Sequence, residues 1–408
     1  MPSRYLSFRC SVPWLILFLE TLFLIHTYFF FPGVDDIYSP SNFYPEFQDV
    51  NHMVIFGFGF FLMVLRRYGF SSTGFNFLLV VLGVQCSVLV EDVLVFLRVQ
   101  QIIFLSFCSL AKAVVSMTAV VISTGAVLGK ASPVQLIVMT LVELIVFYVS
   151  RCINKTLLQV PDHLTLMHVH LFGAYFGLAV TSRFPEPPPG LDKNRSTPKS
   201  DLLSMLGTVF VWVFWPSFNS ILADSKREAV LNTYFALAVS AVAAFMLSAL
   251  TSKDGKFRMT HIHSAVLAGG VTISYTAHSI QHPWIAMILG LLGSVITILG
   301  SHCLQRCFNP AFKLKDTSGI HFTFGLPALL GAVAAVVLSV VEKGIAKQWN
   351  NLSSLGYLVF VDVGALCQTI STALVTGLIT GLILNIKLLK AVHVSKYFDD
   401  QFYWEVSF

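Results

Sequence analysis

Twelve separate apolar stretches, near 11–32, 51–66, 74–97, 102–128, 132–150, 164–182, 201–223, 229–250, 260–278, 283–302, 320–341 and 357–386, leave this chain one class of fold. Crossing a hydrocarbon core takes roughly 20 residues at about 1.5 Å of helix rise each. A backbone in lipid must satisfy its own hydrogen bonds, so such stretches become helices. The expected architecture is an all-α polytopic membrane bundle of twelve transmembrane helices. Composition agrees: 12% of residues are charged, against about 25% in soluble domains, and the mean hydropathy is +0.75. No nucleophile–base pair, metal-ligand set, phosphate loop or cofactor motif lies outside the apolar runs, which argues against an enzyme. No basic cluster is interleaved with aromatics on a polar face, so the net charge of +5 does not point to nucleic acid.

The first run is too long for a cleaved signal and lacks a small-residue cleavage site. The last is long enough to tilt strongly or to protrude. An even span count puts both termini on one side, and the loops decide which. With the N-terminus inside, 18 of the 26 Lys and Arg residues fall in cytosolic segments and 7 in the opposite loops. The positive-inside rule therefore predicts two cytoplasmic termini. Residues 1–390 form the membrane domain, with its halves joined by the Pro-rich cytosolic linker 183–200, and 391–408 form a cytoplasmic tail. Sequons at Asn154 and Asn351 fall outside, and the one at Asn194 falls in the linker. Cys10, Cys303 and Cys307 flank spans on the cytosolic side, where palmitoylation and plain thiols are both open. Cys86, Cys108 and Cys367 read as small core residues.

Ionisable groups in hydrocarbon are costly and are the functional candidates. They are Glu20, Glu91, Asp92, Lys112, Glu143, His170, His261, His263, His321 and Asp362. Glu143 and Lys112 are read as pairing across helices, and Glu91, Asp92 and Asp362 as snorkelling near span ends. His261 and His263, two apart, should face different sides and not line one pore. The same spacing lets at most one of His168 and His170 face an axis. His170 is followed by Gly173, Ala174 and Gly177, which allow close helix approach, as does the run Leu267-Ala268-Gly269-Gly270. Asp162 falls near the outer mouth, above the buried imidazole, an arrangement suited to capturing and deprotonating a small cation.

Five ordered motifs carry a resemblance. HLFGAYFGLAV (170–180), FWPSFNS (214–220), HSAVLAGGV (263–271), GAVLGK (125–130) and TGLILNIKLLK (380–390) resemble the Rhesus branch of the ammonium transporter (Amt/MEP/Rh) superfamily. RYLSFRC, FNFLLVVLGVQ (75–85) and KYFDDQFYW (396–404) are similar to the red-cell Rh blood-group polypeptides rather than to the glycosylated Rh ammonia channels. The resemblance implies an inverted repeat, an extra N-terminal helix, one pore per subunit, a trimer and an erythrocyte plasma-membrane location. It also implies a pore in which an acidic mouth residue captures ammonium, two phenylalanines gate, and two histidines strip a proton. Asp162, Phe218 and His170 match three of these elements. Val115 stands where the second gating ring is expected, and Phe324 stands where the second histidine should precede Gly325-Leu326-Pro327.

A phenyl ring neither accepts nor relays a proton. The expected consequence is a pore blocked or dried by an aromatic ring; the alternative is a longer, water-bridged contact to His321, one turn before Phe324. Two functions follow from the resemblance. One is an ammonium or ammonia channel that also admits small neutral gases. The other is a non-conducting subunit assembled with a homologous Rh-associated glycoprotein, in contact with membrane lipid and with a cytoskeletal adaptor through the tail. In that second reading YFDDQFYW is a docking stretch, the alternative being a solvated end.

Overall fold

A computed structural model of the chain describes residues 11–30, 44–99, 107–187, 193, 195–304, 316–345, 352–386, 389 and 391–405. Cys10, Cys307, Asn194 and Asn351 lie outside the described residues. Every described segment is helix, turn or coil, and all twelve apolar runs return as helical elements. They are α1 (Val12–Phe30), α2 (Tyr44–His52, π-helical Met53–Gly57, Phe58–Phe61), α3 (Gly69–Val99), α4 (Phe107–Ala126), α5 (Pro133–Thr156) and α6 (Asp162–Met167, Val169–Thr181). The second half holds α7 (Pro198–Ser220), α8 (Lys226–Thr251), α9 (Met259–Ile273), α10 (Pro283–Leu299), α11 (π-helical His321–Gly325, Leu326–Ile345) and α12 (Leu352–Leu384). Ten of the elements are long and apolar enough to cross a membrane; α2, interrupted by its π turn, and α9, with 15 residues, are the shorter two.

Local signals set the boundaries. Ser132 and Thr197 open α5 and α7 with reciprocal side-chain to backbone bonds to Gln135 and Ser200, and Pro133 and Pro198 occupy the first turns. Each box satisfies two of the N–H groups that a helix start leaves free. Inside the bundle, small residues set the spacing. A Cβ on Gly173 would stand 2.3 Å from the Ala119 carbonyl oxygen, and one on Gly269 would stand 2.5 Å from that of Ala236. Backbones of α6 and α4, and of α9 and α8, therefore meet directly, as van der Waals association in lipid requires.

The helices sort into two groups. α3–α6 pack with α12, α7–α10 pack with α2, and α11 lies against α9 and α10 while its π turn reaches α6. α1 lies outside, on α3 and α5, with Trp14, Phe18 and Leu24 exposed. α12 has 33 residues, well beyond one membrane thickness. Cys86 is buried, but Cys367 is exposed on α12 and not in the core, because the lipid-facing side of a span is as apolar as its packed side.

Part of the tail is docked on the bundle, while residues 391, 393, 395, 401 and 405 are exposed. Tyr397 and Phe398 are buried, the Phe398 N–H donates to the Gly129 carbonyl at 2.9 Å, and the Asp400 N–H donates to the Arg67 carbonyl at 2.8 Å. Asp400 Oδ2 and Oδ1 accept from the Phe70 and Ser71 N–H groups at 2.8 and 2.9 Å, at the start of α3. Trp404 donates to Ser71 at 3.0 Å, and Lys193 pairs with Asp399 at 2.8 Å. The tail thus ties α3, the α4–α5 turn and the linker together, with Tyr397 and Phe398 buried and Phe402, Tyr403 and Trp404 half-buried.

Candidate functional site

At the end of the bundle opposite the linker, Asp162 opens α6 and meets three cations. Lys112 Nζ lies 2.8 Å away, Arg151 Nη2 3.2 Å and Lys155 Nζ 3.3 Å. Lys112 also faces Glu91 at 3.7 Å. The expected Lys112–Glu143 pair does not form: Glu143 is fully buried and accepts a short hydrogen bond from Ser123. Asp92 faces His26 of α1 at 3.8 Å, and Glu20 accepts from Gln85 at 3.0 Å. The acids of α3 are partnered within the bundle, where snorkelling was expected. The mouth is a charge cluster centred on Asp162, with its carboxylate already shared among three cations.

Below the mouth, five helices bring rings together in one column. His170 sits one residue into the second segment of α6, just past the break at His168. Its ring lies 5.5 Å from Phe218, 5.7 Å from Trp215 at 12°, and 6.5 Å from Phe324 at 7°. Phe324 in turn lies 5.8 Å from Phe58 and 5.9 Å from Phe61. Phe61 stacks on His263 at 3.8 Å and 11°. His170, Phe218, Phe324 and Val115 are each 0% exposed. Neither His170 ring nitrogen finds a hydrogen-bond partner among the described residues, beyond a weak approach to the Met167 backbone.

His168 points elsewhere, its Nδ1 2.9 Å from Thr369 of α12, so one histidine of that pair faces the axis. Asn154 is bonded to the same threonine and 1% exposed, a burial that opposes glycosylation. His321 does not approach His170. Its ring neighbours are Tyr175 and Phe322. Residues 321–325 are π-helical, and i→i+5 bonding turns each residue through a smaller angle than an α-helix does. The shared face expected of His321 and Phe324 is lost with it.

His321 instead borders a cavity of about 490 Å³ at the linker end, together with His261, His263, Arg258, Asp201 and Asp316. His261 and His263, expected to face different sides, both border this cavity at the start of α9. His263 Nδ1 lies 2.9 Å from Ser204 and 3.1 Å from Thr208, while its Nε2 and His321 Nδ1 have no hydrogen-bond partner among the described residues. Asp316 accepts from the Gly319 and His321 N–H groups at 2.9 and 2.8 Å, and burial holds its carboxyl above the ordinary range. No group of three or more His, Cys, Asp or Glu among the described residues is placed to hold a metal ion.

Three participants were missing from the sequence reading: Trp215, Phe58 and Phe61. Trp215 was findable, since it precedes Phe218 by three residues on one helix and so shares its face. Phe58 and Phe61 had no such signal, because α2 changes its turn at Met53–Gly57.

The pattern of the ammonium transporter family matches residues 14–400. An RH-like protein of Macaca mulatta is 41% identical over 415 residues, covering 99% of this chain and 98% of the relative. The blood group Rh(D) polypeptide of Rattus norvegicus is 41% identical and the blood group Rh(CE) polypeptide of Homo sapiens 40%, with the same coverages. Among solved structures, Nitrosomonas europaea Rh50, described with a mechanism of conduction by the Rhesus protein family of channels, superimposes with TM-score 0.76 at 27% identity over 90% of this chain and 92% of that one. A mutant of Candida albicans Mep2 shares the fold, with TM-score 0.70 at 15% identity over 88% and 89%.

Proposed function

We propose, from the premise that this chain belongs to the ammonium transporter family and its Rh polypeptide branch, that it is a structural subunit whose own pore does not conduct. The observation that carries this reading is the column Phe218–His170–Phe324–Phe61, in which a phenyl ring faces the lone imidazole. A cation entering the column loses its water shell and meets, opposite His170, a phenyl ring that cannot receive its proton; the next imidazole, His263, stands behind Phe61. An imidazole left unpaired in such a site costs roughly 1–3 kcal/mol. Asp162 supports the same reading: with three cations around it, it serves the local charge balance and offers little field to capture a fourth.

The work of such a subunit lies in assembly. It joins an oligomer, a trimer by resemblance, with a homologous Rh-associated glycoprotein in the erythrocyte plasma membrane, both termini cytoplasmic. A cytoskeletal adaptor would meet the exposed and half-buried side chains of the C-terminal tail, Phe402 among them. The second reading, a channel in its own right, is favoured by Phe218 and His170 standing in place and by the Rh50 likeness.

Co-expression with an Rh-branch relative that carries both pore histidines tests the proposal. The expected result is a mixed oligomer whose ammonia permeability scales with the number of two-histidine subunits. Equal permeability at every subunit ratio, or failure of the two chains to co-purify, would overturn it.

A further inference from the structure

A second cavity, of about 890 Å³, opens between α2, α3, α7 and the tail. Phe56, Phe60, Phe70, Phe77 and Leu203 run along it, and Arg66, Arg67 and Lys199 close one end. Phe56, Phe70 and Phe77 are 49%, 58% and 54% exposed. From Phe70 to Phe77 is about 10 Å along α3 at the helical rise, so the apolar lining descends into the membrane from a polar rim. Arg66, Arg67 and Lys199 are exposed, and their side chains have no ion pair or hydrogen bond among the described residues.

Two acids share the rim but are committed elsewhere. Asp399 is held by Lys193 at 2.8 Å, and Asp400 by the two N–H groups that open α3. The groove therefore has an apolar trough at chain depth and three unspent cations at headgroup depth. We propose that it binds one anionic phospholipid, with its phosphate on Arg66, Arg67 and Lys199 and an acyl chain along Phe56, Phe60 and Phe77. The site stands apart from the pore column and is independent of whether the pore conducts. Because Asp399, Asp400 and Gln401 form part of its wall, a lipid seated there presses on the clamped tail.

The test is native mass spectrometry of the full-length protein released from mixed phosphatidylserine and phosphatidylcholine nanodiscs. The native protein should retain phosphatidylserine in preference. Each basic group near an anionic headgroup contributes about fivefold, so R66Q/R67Q/K199Q should lower that preference by at least about tenfold after screening. K253Q/K256Q, exposed on the same end but outside the groove, should leave it intact. F56S/F77S should lower retention of both lipids there.

Four results would overturn the proposal. The triple variant could keep the preference, or K253Q/K256Q could remove it equally, which would assign it to general surface charge. Displacement of the lipid by soluble glycerophosphoserine would reduce the site to a phosphate site. Efficient disulfide linkage of two F56C chains in native membranes would assign the groove to a second copy of this chain.

Discussion

Replacing Phe324 with histidine acts on the ring that separates His170 from Phe61. The two rings are within 7° of parallel and 6.5 Å apart, so an N–H···N bond needs an approach of about 1 Å to bring the nitrogens to ~3 Å. Loss of the fully buried phenyl forfeits part of about 1.5–3 kcal/mol of burial. The new bond returns about 0.5–1.5 kcal/mol and relieves an orphaned nitrogen worth a similar amount or more. The two sides nearly cancel, so the melting temperature of Phe324→His should move by only a few degrees. Flux should respond far more. If the barrier includes the 1–3 kcal/mol of an unpaired imidazole, restoring its partner raises ammonia permeability about 5- to 150-fold. The assay is stopped-flow alkalinisation of proteoliposomes, with Phe324→His/His170→Ala as the control that should lose the gain. A folded Phe324→His protein that remains silent would refute the reasoning and move the block to another ring of the column.

Three further outcomes are expected. Asp162→Asn leaves Lys112, Arg151 and Lys155 around a neutral amide, and should destabilise the fold by about 1–3 kcal/mol after discounting for partial exposure; an unchanged melting temperature would restore Asp162 to a capture role. Gly173→Ala places a methyl against the Ala119 backbone, where neither partner is a flexible side chain, so folded yield should fall with a loss of about 1–3 kcal/mol. Asp400→Ala should release the tail, seen as faster hydrogen exchange at Phe70 and Ser71 and faster proteolysis near Lys396. Burial raises the docked Asp400 carboxyl above its ordinary value. The docked state then holds its proton to higher pH than a released tail, so docking weakens as pH rises through the docked value and levels off above it.

Hydropathy alone delivered the helices, because a lipid-spanning backbone has so few alternatives. It did not deliver their irregularities. An apolar run looks the same whether its hydrogen bonds skip four residues or five, so the π turns at Met53–Gly57 and His321–Gly325 were invisible. That second turn is why His321 left the face of Phe324 and joined His263 on the linker-end cavity. Pairings failed for a different reason. Lys112 and Glu143 were matched as opposite charges in neighbouring apolar runs, whereas α6 delivers Asp162 to Lys112 at 2.8 Å. His170 and Phe218 were legible because motif and burial agree. The anchoring of the tail was not legible because the partners of Asp400 and Trp404, the N–H groups and side chain at the start of α3, lie more than 300 residues away in the chain.

The most direct test of the central claim is the ammonia permeability of proteoliposomes holding this native chain alone, set against empty liposomes at equal lipid and matched size. The account predicts indistinguishable rates. A rate above that of empty liposomes, abolished by His170→Ala, would show that ammonia passes an imidazole with no partner and that Phe324 does not close the pore.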